Sequence, residues 1–354
     1  MKLEKTEIES KRPFQVRPGA AWLTVNRKCN FRCKWCYAKG SGYSAKREMS
    51  LDLAEDLANI SQQIGVHNLL LIGGEPTLWK PLIEFNEFCM QKKILTILIT
   101  NGMRFGVDKF WQKYVQYPNN RIALSLKAST PQQFYQVAGV GGFEIVKKGL
   151  TRAIQELDAQ ISITYNTFYV DTLKDMVQFA MDCGAKSIKI DFCSTTFVNG
   201  EPNATYMVKP QEVAQNIMRD YPELERITKG RIVFEMMVPF CLWPLEFINQ
   251  LKQKGQLMSV CHLLKRKGII FDEFGNIIMC NALFDYPLGR YGKEFYDGES
   301  LLAWLDTDQI ISYYNRIGCY PSEACKTCSL YSECGGGCPL RWALYKPDEF
   351  VRPV

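Results

Sequence analysis

At 354 residues the chain is long for one average domain and fits one barrel with a smaller module attached. Its 47% hydrophobic and 23% charged residues are ordinary for a globular protein and leave enough apolar material for a sizeable core. A net charge of +6, from 43 basic against 37 acidic residues, does not call for nucleic acid and only weakly favours an acidic or phosphate-bearing partner.

The opening residues, MKLEKTEIESKRPFQ, are charged and polar and lack the apolar centre of a signal peptide. No stretch reaches the roughly 20 apolar residues of a membrane span. The expectation is a soluble, cytoplasmic protein with no membrane partner. A first strand, AWLTVNR from Ala21, leads into the loop CNFRCKWCYAKG. Ser50 then caps a helix over SLDLAEDLANISQQIG, where apolar residues recur at helical spacing. Strand NLLLIGGEP from Asn68, helix LIEFNEFCMQKK and strand LTILITNG from Leu95 follow. After another helix comes strand RIALSLKAS from Arg121, then helix FEIVKKGLTRAIQEL. A fifth strand, ISITYNTF from Ile161, precedes helix LKDMVQFAMDCG and a sixth strand, SIKIDFC from Ser187.

Six β–α repeats with short apolar strands predict a parallel sheet with helices outside. Right-handed crossovers curl such a sheet into a full or partial barrel. Functional residues are then expected in loops at the C-terminal strand ends, where the cysteine loop, GGEP and TNG fall. Past residue 200 the pattern changes: a helix near PQEVAQNIMRDY, the Pro- and aromatic-rich VPFCLWPLEF, then cysteines and glycines from Cys261. The expected division is an extension over 1–18, a barrel over 19–200, a connecting region over 201–240 and a cysteine-rich domain over 241–354.

Fourteen cysteines against two histidines point to thiolate-ligated iron or zinc rather than a His-rich site. In CNFRCKWCY, Cys29, Cys33 and Cys36 can hold three irons of a [4Fe–4S] cube and leave the fourth iron open. The rival is a zinc knuckle, which wants a fourth ligand that no neighbouring His or Cys supplies. The C-x3-C-x2-C loop, with aromatic Tyr37 after its last cysteine, resembles the radical S-adenosylmethionine (SAM) superfamily over roughly residues 18–200. That resemblance implies that the amino and carboxylate groups of SAM chelate the open iron. It further implies reductive cleavage of SAM to a 5′-deoxyadenosyl radical, which takes a hydrogen from the substrate.

Gly73, Gly74, Glu75 and Pro76 end the second strand, and glycines let backbone approach a ligand closely. By resemblance they are the segment that binds the amino group of SAM. Ser125 and Lys127 share one face by strand alternation, and the resemblance gives them the ribose or carboxylate. Asn101 and Asn166, at the ends of strands three and five, are candidates to line the same cavity. Asp191 and Cys193, on one face at the end of strand six, are the candidate catalytic pair, a proton acceptor and a hydrogen donor. The competing reading makes them packing residues, as it does Cys89 and Cys183 in helical patterns.

The later series is Cys261, thirteen residues, Gly275, four residues, Cys280, then Cys325-x2-Cys328-x5-Cys334-x3-Cys338. A zinc ribbon is the plain rival. The order resembles the SPASM domain of many radical SAM enzymes over roughly residues 241–340, which implies two auxiliary [4Fe–4S] clusters. By that pattern Cys261, Cys280 and Cys338 go to cluster I, with Cys241 as fourth ligand. Cys325, Cys328 and Cys334 go to cluster II, whose fourth ligand is Cys319, an oxygen ligand such as Asp348, or none, since no cysteine follows Cys338. Asn281 stands where sulfatase-maturing relatives carry a catalytic aspartate, which counts against formylglycine formation.

The resemblance to peptide-maturing members implies modification of a ribosomally made peptide by cross-linking, oxidation or epimerisation. It also implies a reducing partner such as flavodoxin or ferredoxin. About twenty residues before the first strand are too few for a peptide-recognition domain, so a separate leader-binding protein or a small substrate is expected. A radical dehydrogenase acting on a small molecule such as a sugar is the second reading. A non-enzymatic iron–sulfur carrier or metal-stabilised scaffold is the third.

Overall fold

The computed structural model describes residues 16–198, 200–259 and 261–346. Strand β1 (Ala20–Asn26) is followed by helix α1 (Leu51–Gln63), β2 (Asn68–Gly73), α2 (Leu82–Gln91), β3 (Leu95–Thr100) and α3 (Asp108–Tyr114). Next come β4 (Arg121–Ser125), α4 (Pro131–Ala138), α5 (Phe143–Glu156), β5 (Ala159–Tyr165), α6 (Leu173–Asp182) and β6 (Ile188–Phe192). Strands β1 to β6 lie side by side in chain order, all parallel. This is the expected partial (β/α)6 barrel.

Local chemistry accounts for the elements. Ser50 accepts a hydrogen bond from the Leu53 amide at 3.3 Å and starts α1 as expected. Helix α4 was not anticipated, although Thr130 caps it through the Gln133 amide at 3.2 Å and Pro131 fills its first position. In β2 to β6 every second residue, such as Leu69, Leu71, Leu98, Leu124, Ile163 and Ile190, is fully buried in the main core. The alternate residues Ile72, Ile99, Ser125 and Thr164 line a cavity instead. Strand alternation therefore sorts core from site.

The sheet does not stop at six strands. A short antiparallel pair, β7 (Thr196–Val198) and β8 (Glu201–Asn203), leads to α7 (Pro210–Thr228) and β9 (Ile232–Glu235). Strand β9 joins β6 in parallel, so the segment expected as a mere connection extends the barrel sheet. After α8 (Leu245–Gln253), β10 (Leu257–Met258) joins β9. Helix α9 (His262–Lys265) precedes β11 (Gly268–Phe271), β12 (Asn276–Ile278) and β13 (Pro287–Arg290). Strand β11 pairs in parallel with β1, from Ala20 opposite Gly268 to Leu23 opposite Phe271, and β12 and β13 follow antiparallel. The cysteine-rich half is thus built onto the free edge of β1, giving one eleven-stranded sheet. Among the described residues no helix is long and apolar enough to cross a membrane.

Candidate active site and its cysteine sets

A cavity of about 340 Å³ opens at the C-terminal ends of the barrel strands. That is within the size range of small-molecule sites. Cys29, Cys33 and Cys36 all line it. Their loop follows β1 and is pinned to the end of α4: the Arg32 amide donates to Ala138 O at 2.7 Å, and the Lys34 amide to Val137 O at 3.1 Å. The Phe31 amide donates to Cys29 Sγ at 3.3 Å. Burial, with Glu75 and the two neighbouring thiols adding to it, pushes the Cys29 thiol up to about 12. Burial also raises Cys33, against the charge of Lys127. Such thiols stay protonated until a cation compensates them, which an iron cluster does. Among the described residues no three His, Cys, Asp or Glu side chains converge as ligands to one ion would. A cube does not ask for that, because each thiolate binds its own iron at a separate corner. The donor set fits a cube with one corner open.

Gly73 and Gly74 line the cavity, but their glycine identity has a different cause from the one expected. A Cβ on Gly74 would stand 2.4 Å from the carbonyl oxygens of Arg27 and Lys28, and one on Gly73 2.5 Å from Asn26 O. The bare backbone lets the end of β2 pass against the end of β1. The Gly74 and Glu75 amides donate to Asn26 O and Lys28 O, both at 2.8 Å. Tyr37 Oη donates to Gly73 O at 3.0 Å, so the aromatic residue after the third cysteine is tied to this turn.

Glu75 is 1% exposed and its carboxylate is nearly saturated. It accepts from the Thr77 amide (3.0 Å) and hydroxyl (2.6 Å), the Thr100 hydroxyl (2.6 Å) and the Asn101 amide (2.8 Å). Burial raises its carboxyl above the ordinary range, and these hydrogen bonds oppose the rise. Its carboxylate organises the ends of β2 and β3 around the cavity. Asn101 lines the cavity and binds Asn30 of the cysteine loop at 2.8 Å. Ser125 and Lys127 line it too, with the Lys127 ammonium 5.7 Å from the Trp35 ring centre.

Three expected residues are placed otherwise. Pro76 is buried as the first residue of a 3-10 turn over Pro76–Leu78. Asn166 is fully buried and folds back on its own turn, donating to Thr164 O and accepting from the Phe168 amide. It follows the end of β5, so strand alternation no longer aims it at the lumen. Asp191 does not line the cavity either. Its carboxylate is held by Ser162 and by Lys189, which lies 2.9 Å from it and 2.7 Å from Glu235. Despite burial, its pairing with Glu235, Lys189 and Ser162 holds Asp191 below the usual carboxylate range. Glu235 is lifted by burial and by Asp191 to about 7. Cys193 does line the cavity, and burial pushes its thiol up to about 11.

The C-terminal half reaches the same cavity through Cys280, Asn281 and Ala282. Asn281 Oδ1 is buried with no hydrogen-bond partner among the described residues. Cys261, Cys280 and Cys338 act on one another electrostatically; burial pushes Cys280 up to about 12 and Cys261 to about 11. Cys241, grouped with these three from the sequence, lies elsewhere. It follows Phe240, whose amide donates to Cys334 Sγ at 3.3 Å, and the charges felt by Cys334 are those of Cys241 and Cys325. The Cys328 amide donates to Cys325 O. Cys319 is exposed, and it acts on Tyr331 together with Cys325 and Cys334. Asp348 lies outside the described residues.

Sequence reasoning missed Tyr43, Trp35 and Thr100 as parts of this cavity wall, and singled out Asn281 only as a departure from the sulfatase-maturing pattern. Tyr43 sits at φ 53° just beyond the loop, a conformation no local pattern announces. Thr100 was legible in the TNG string but was passed over for its neighbour.

Residues 23–183 match the family model described as the Radical SAM superfamily. A probable GTP 3′,8-cyclase of Thermococcus kodakarensis is 27% identical over 164 residues, 46% of this chain and 53% of that protein. A GTP 3′,8-cyclase of Haemophilus influenzae is 32% identical over 147 residues, 40% of this chain and 43% of that protein. The chain thus spans about half the length of the curated relatives it matches. In structure it resembles Streptococcus suis SuiB, with a TM-score of 0.70 at 17% identity, covering 95% of this chain and 76% of that one. It also resembles anSMEcpe solved with bound AdoMet, with a TM-score of 0.66 at 16% identity, covering 90% and 89%.

Proposed function

We propose that the chain is an enzyme of the Radical SAM superfamily, whose family model matches residues 23–183, and that it modifies a peptide substrate. A [4Fe–4S] cube with SAM on its open iron supplies, when bound, reductive cleavage of SAM and hydrogen abstraction from the substrate. Cys29, Cys33 and Cys36 would hold that cube. Tyr37 and the Glu75 network fix the backbone of Gly73 and Gly74 beside it. Asn101, Ser125 and Lys127 provide polar contacts across the same cavity. Trp35 and Phe31 add aromatic surface to its wall. Cys193, whose burial keeps it a neutral thiol, lines the cavity as a hydrogen donor. Asp191 acts through Lys189 and Glu235 rather than on the substrate.

One observation carries the peptide reading. Cys280, Asn281 and Ala282, from the half of the chain beyond the matched domain, line the cavity of the first cysteine set. A second thiol set at the reaction cavity suits an enzyme whose oxidised product leaves an electron behind. We assign Cys261, Cys280 and Cys338 to one auxiliary cluster and Cys325, Cys328, Cys334 and Cys241 to another. A reducing partner of flavodoxin or ferredoxin type completes the set. The SuiB fold has been solved with precursor peptide SuiA, and anSMEcpe with Kp18Cys peptide, which supports a peptide-sized opening in this architecture.

The names of the sequence relatives favour a second reading, a nucleotide substrate. A triphosphate wants several basic side chains. Among the described residues lining the cavity, Lys127 alone is basic. The test is anaerobic reconstitution with iron and sulfide, then dithionite and SAM, with 5′-deoxyadenosine followed by mass spectrometry. The peptide reading expects release that rises with candidate precursor peptides, does not respond to GTP, and falls to background in Cys33→Ala. Stimulation by GTP alone would overturn it.

A further inference from the structure

Arg341 stands in the turn Pro339–Ala343, three residues past Cys338, with its amide donating to Cys338 O at 3.1 Å. It is 1% exposed. Its Nε, Nη1 and Nη2 are all without a hydrogen-bond partner among the described residues. A guanidinium carries five N–H donors, and leaving them buried without an acceptor is costly. The other wholly buried arginine of the site region, Arg27, has Glu273 as an ion-pair partner. Among the described residues Arg341 has no such carboxylate. The charges it meets are those of Cys338, Tyr345 and Cys193.

Cys338 is one of three mutually interacting thiols, with Cys261 and Cys280, and the fourth cysteine expected there sits beside Cys334 instead. Among the described residues the locus therefore combines the three thiol donors of the set and a buried guanidinium with no hydrogen-bond partner. A thiolate-ligated iron–sulfur cube is an anion with exposed sulfide acceptors. We propose that Arg341 is the internal counter-charge of an auxiliary cluster on Cys261, Cys280 and Cys338, and that its N–H groups serve the side of the cluster without a cysteine. This rests on the assignment of those three cysteines to a cluster. On one-electron reduction the cluster becomes more negative by one charge while the guanidinium keeps its protons. A fixed positive charge stabilises the reduced form and raises its reduction potential. Arg341 is thus a positioning residue for redox poise.

The experiment uses the full chain carrying Cys29→Ala, Cys33→Ala and Cys36→Ala, which silences the first cluster. The protein is reconstituted anaerobically, and its potential is read by dithionite titration with electron paramagnetic resonance. Arg341→Met is expected to move one auxiliary signal to a more negative potential, and Arg341→Lys to stay near the parent. If the Met variant does not take up iron, Arg341→Gln reads the same shift. An unchanged potential in a neutral variant that retains parent iron and sulfide overturns the proposal, as does loss of peptide affinity with potentials intact, which would make Arg341 a substrate anchor. A parent protein with no iron beyond the silenced site, or with its iron unaffected by Cys261→Ala, overturns the cluster assignment itself. That failure shows before any Arg341 variant is made.

Discussion

Arg27 and Glu273 form an ion pair with Nε and Oε2 2.8 Å apart, both side chains wholly buried, from positions 246 residues apart in the sequence. Arg27 directly follows β1 at the start of the cysteine loop, and Glu273 sits in the turn between β11 and β12. Arg47 adds a second contact to the same carboxylate. The pair joins the base of the cysteine loop to the C-terminal half.

Glu273→Ala is expected to be severely destabilising, because it leaves Arg27 buried and uncompensated. Breaking a buried pair from one side costs about 3–5 kcal/mol. Urea unfolding under anaerobic conditions checks this, with Glu299→Ala on the exposed first turn of a later helix as the near-neutral comparison.

Gly74→Ala should fail for a steric reason. Its Cβ would meet two backbone carbonyl oxygens at 2.4 Å, and backbone cannot step aside as a flexible side chain does. The expected cost is roughly 1–3 kcal/mol, with reduced iron uptake at the first cysteine set. Gly19→Ala, where nothing lies within 4 Å, should leave both unchanged. Melting temperature and iron content report the difference.

Cys241→Ser and Cys319→Ser distinguish two ligand sets. Cys241 lies beside Cys334, whereas Cys319 is exposed. Iron and sulfide analysis should find about one cluster's worth lost or labile in Cys241→Ser and none in Cys319→Ser. The reverse result would assign the fourth position to Cys319.

Glu235 gives a pH signature of definite sign. Its folded value of about 7 lies above the unfolded carboxyl value. The stability it contributes is fully present below the unfolded value, near pH 4, and is lost as pH rises to about 7, because the unfolded chain gives up a proton that the folded chain retains. Asp191, held low, contributes in the opposite sense only at more acidic pH. Between pH 5 and 8 the wild-type melting temperature should therefore fall with pH more steeply than that of Glu235→Gln. Parallel curves would rule out this titration.

The barrel was legible because its strands are short apolar strings separated by amphipathic helices, and because GGEP and TNG mark strand ends. The cysteine loop was legible from spacing alone. Other features needed three dimensions. The pairing of β11 with β1 joins segments far apart in sequence, and no local periodicity carries it. The two glycines were read as making room for a ligand, whereas their close neighbours are the carbonyls of Asn26, Arg27 and Lys28, at and just past the end of β1. Cys241 was offered as the fourth ligand of the Cys261, Cys280 and Cys338 set, whereas the Phe240 amide before it donates to Cys334 Sγ and its charge acts on Cys334. Asn166 was made a cavity candidate because it ends the fifth strand, but the chain turns at that residue.

Strand β1 has β2 on one side and β11 on the other, both in parallel register. The cysteine loop leaves β1, and Cys280 lies just past β12, one strand beyond β11. The span between the two thiol sets is therefore gauged by inter-strand ladders rather than by a hinge. Were each set to hold the cluster proposed for it, a span held by strand pairing would fix the distance an electron has to cross.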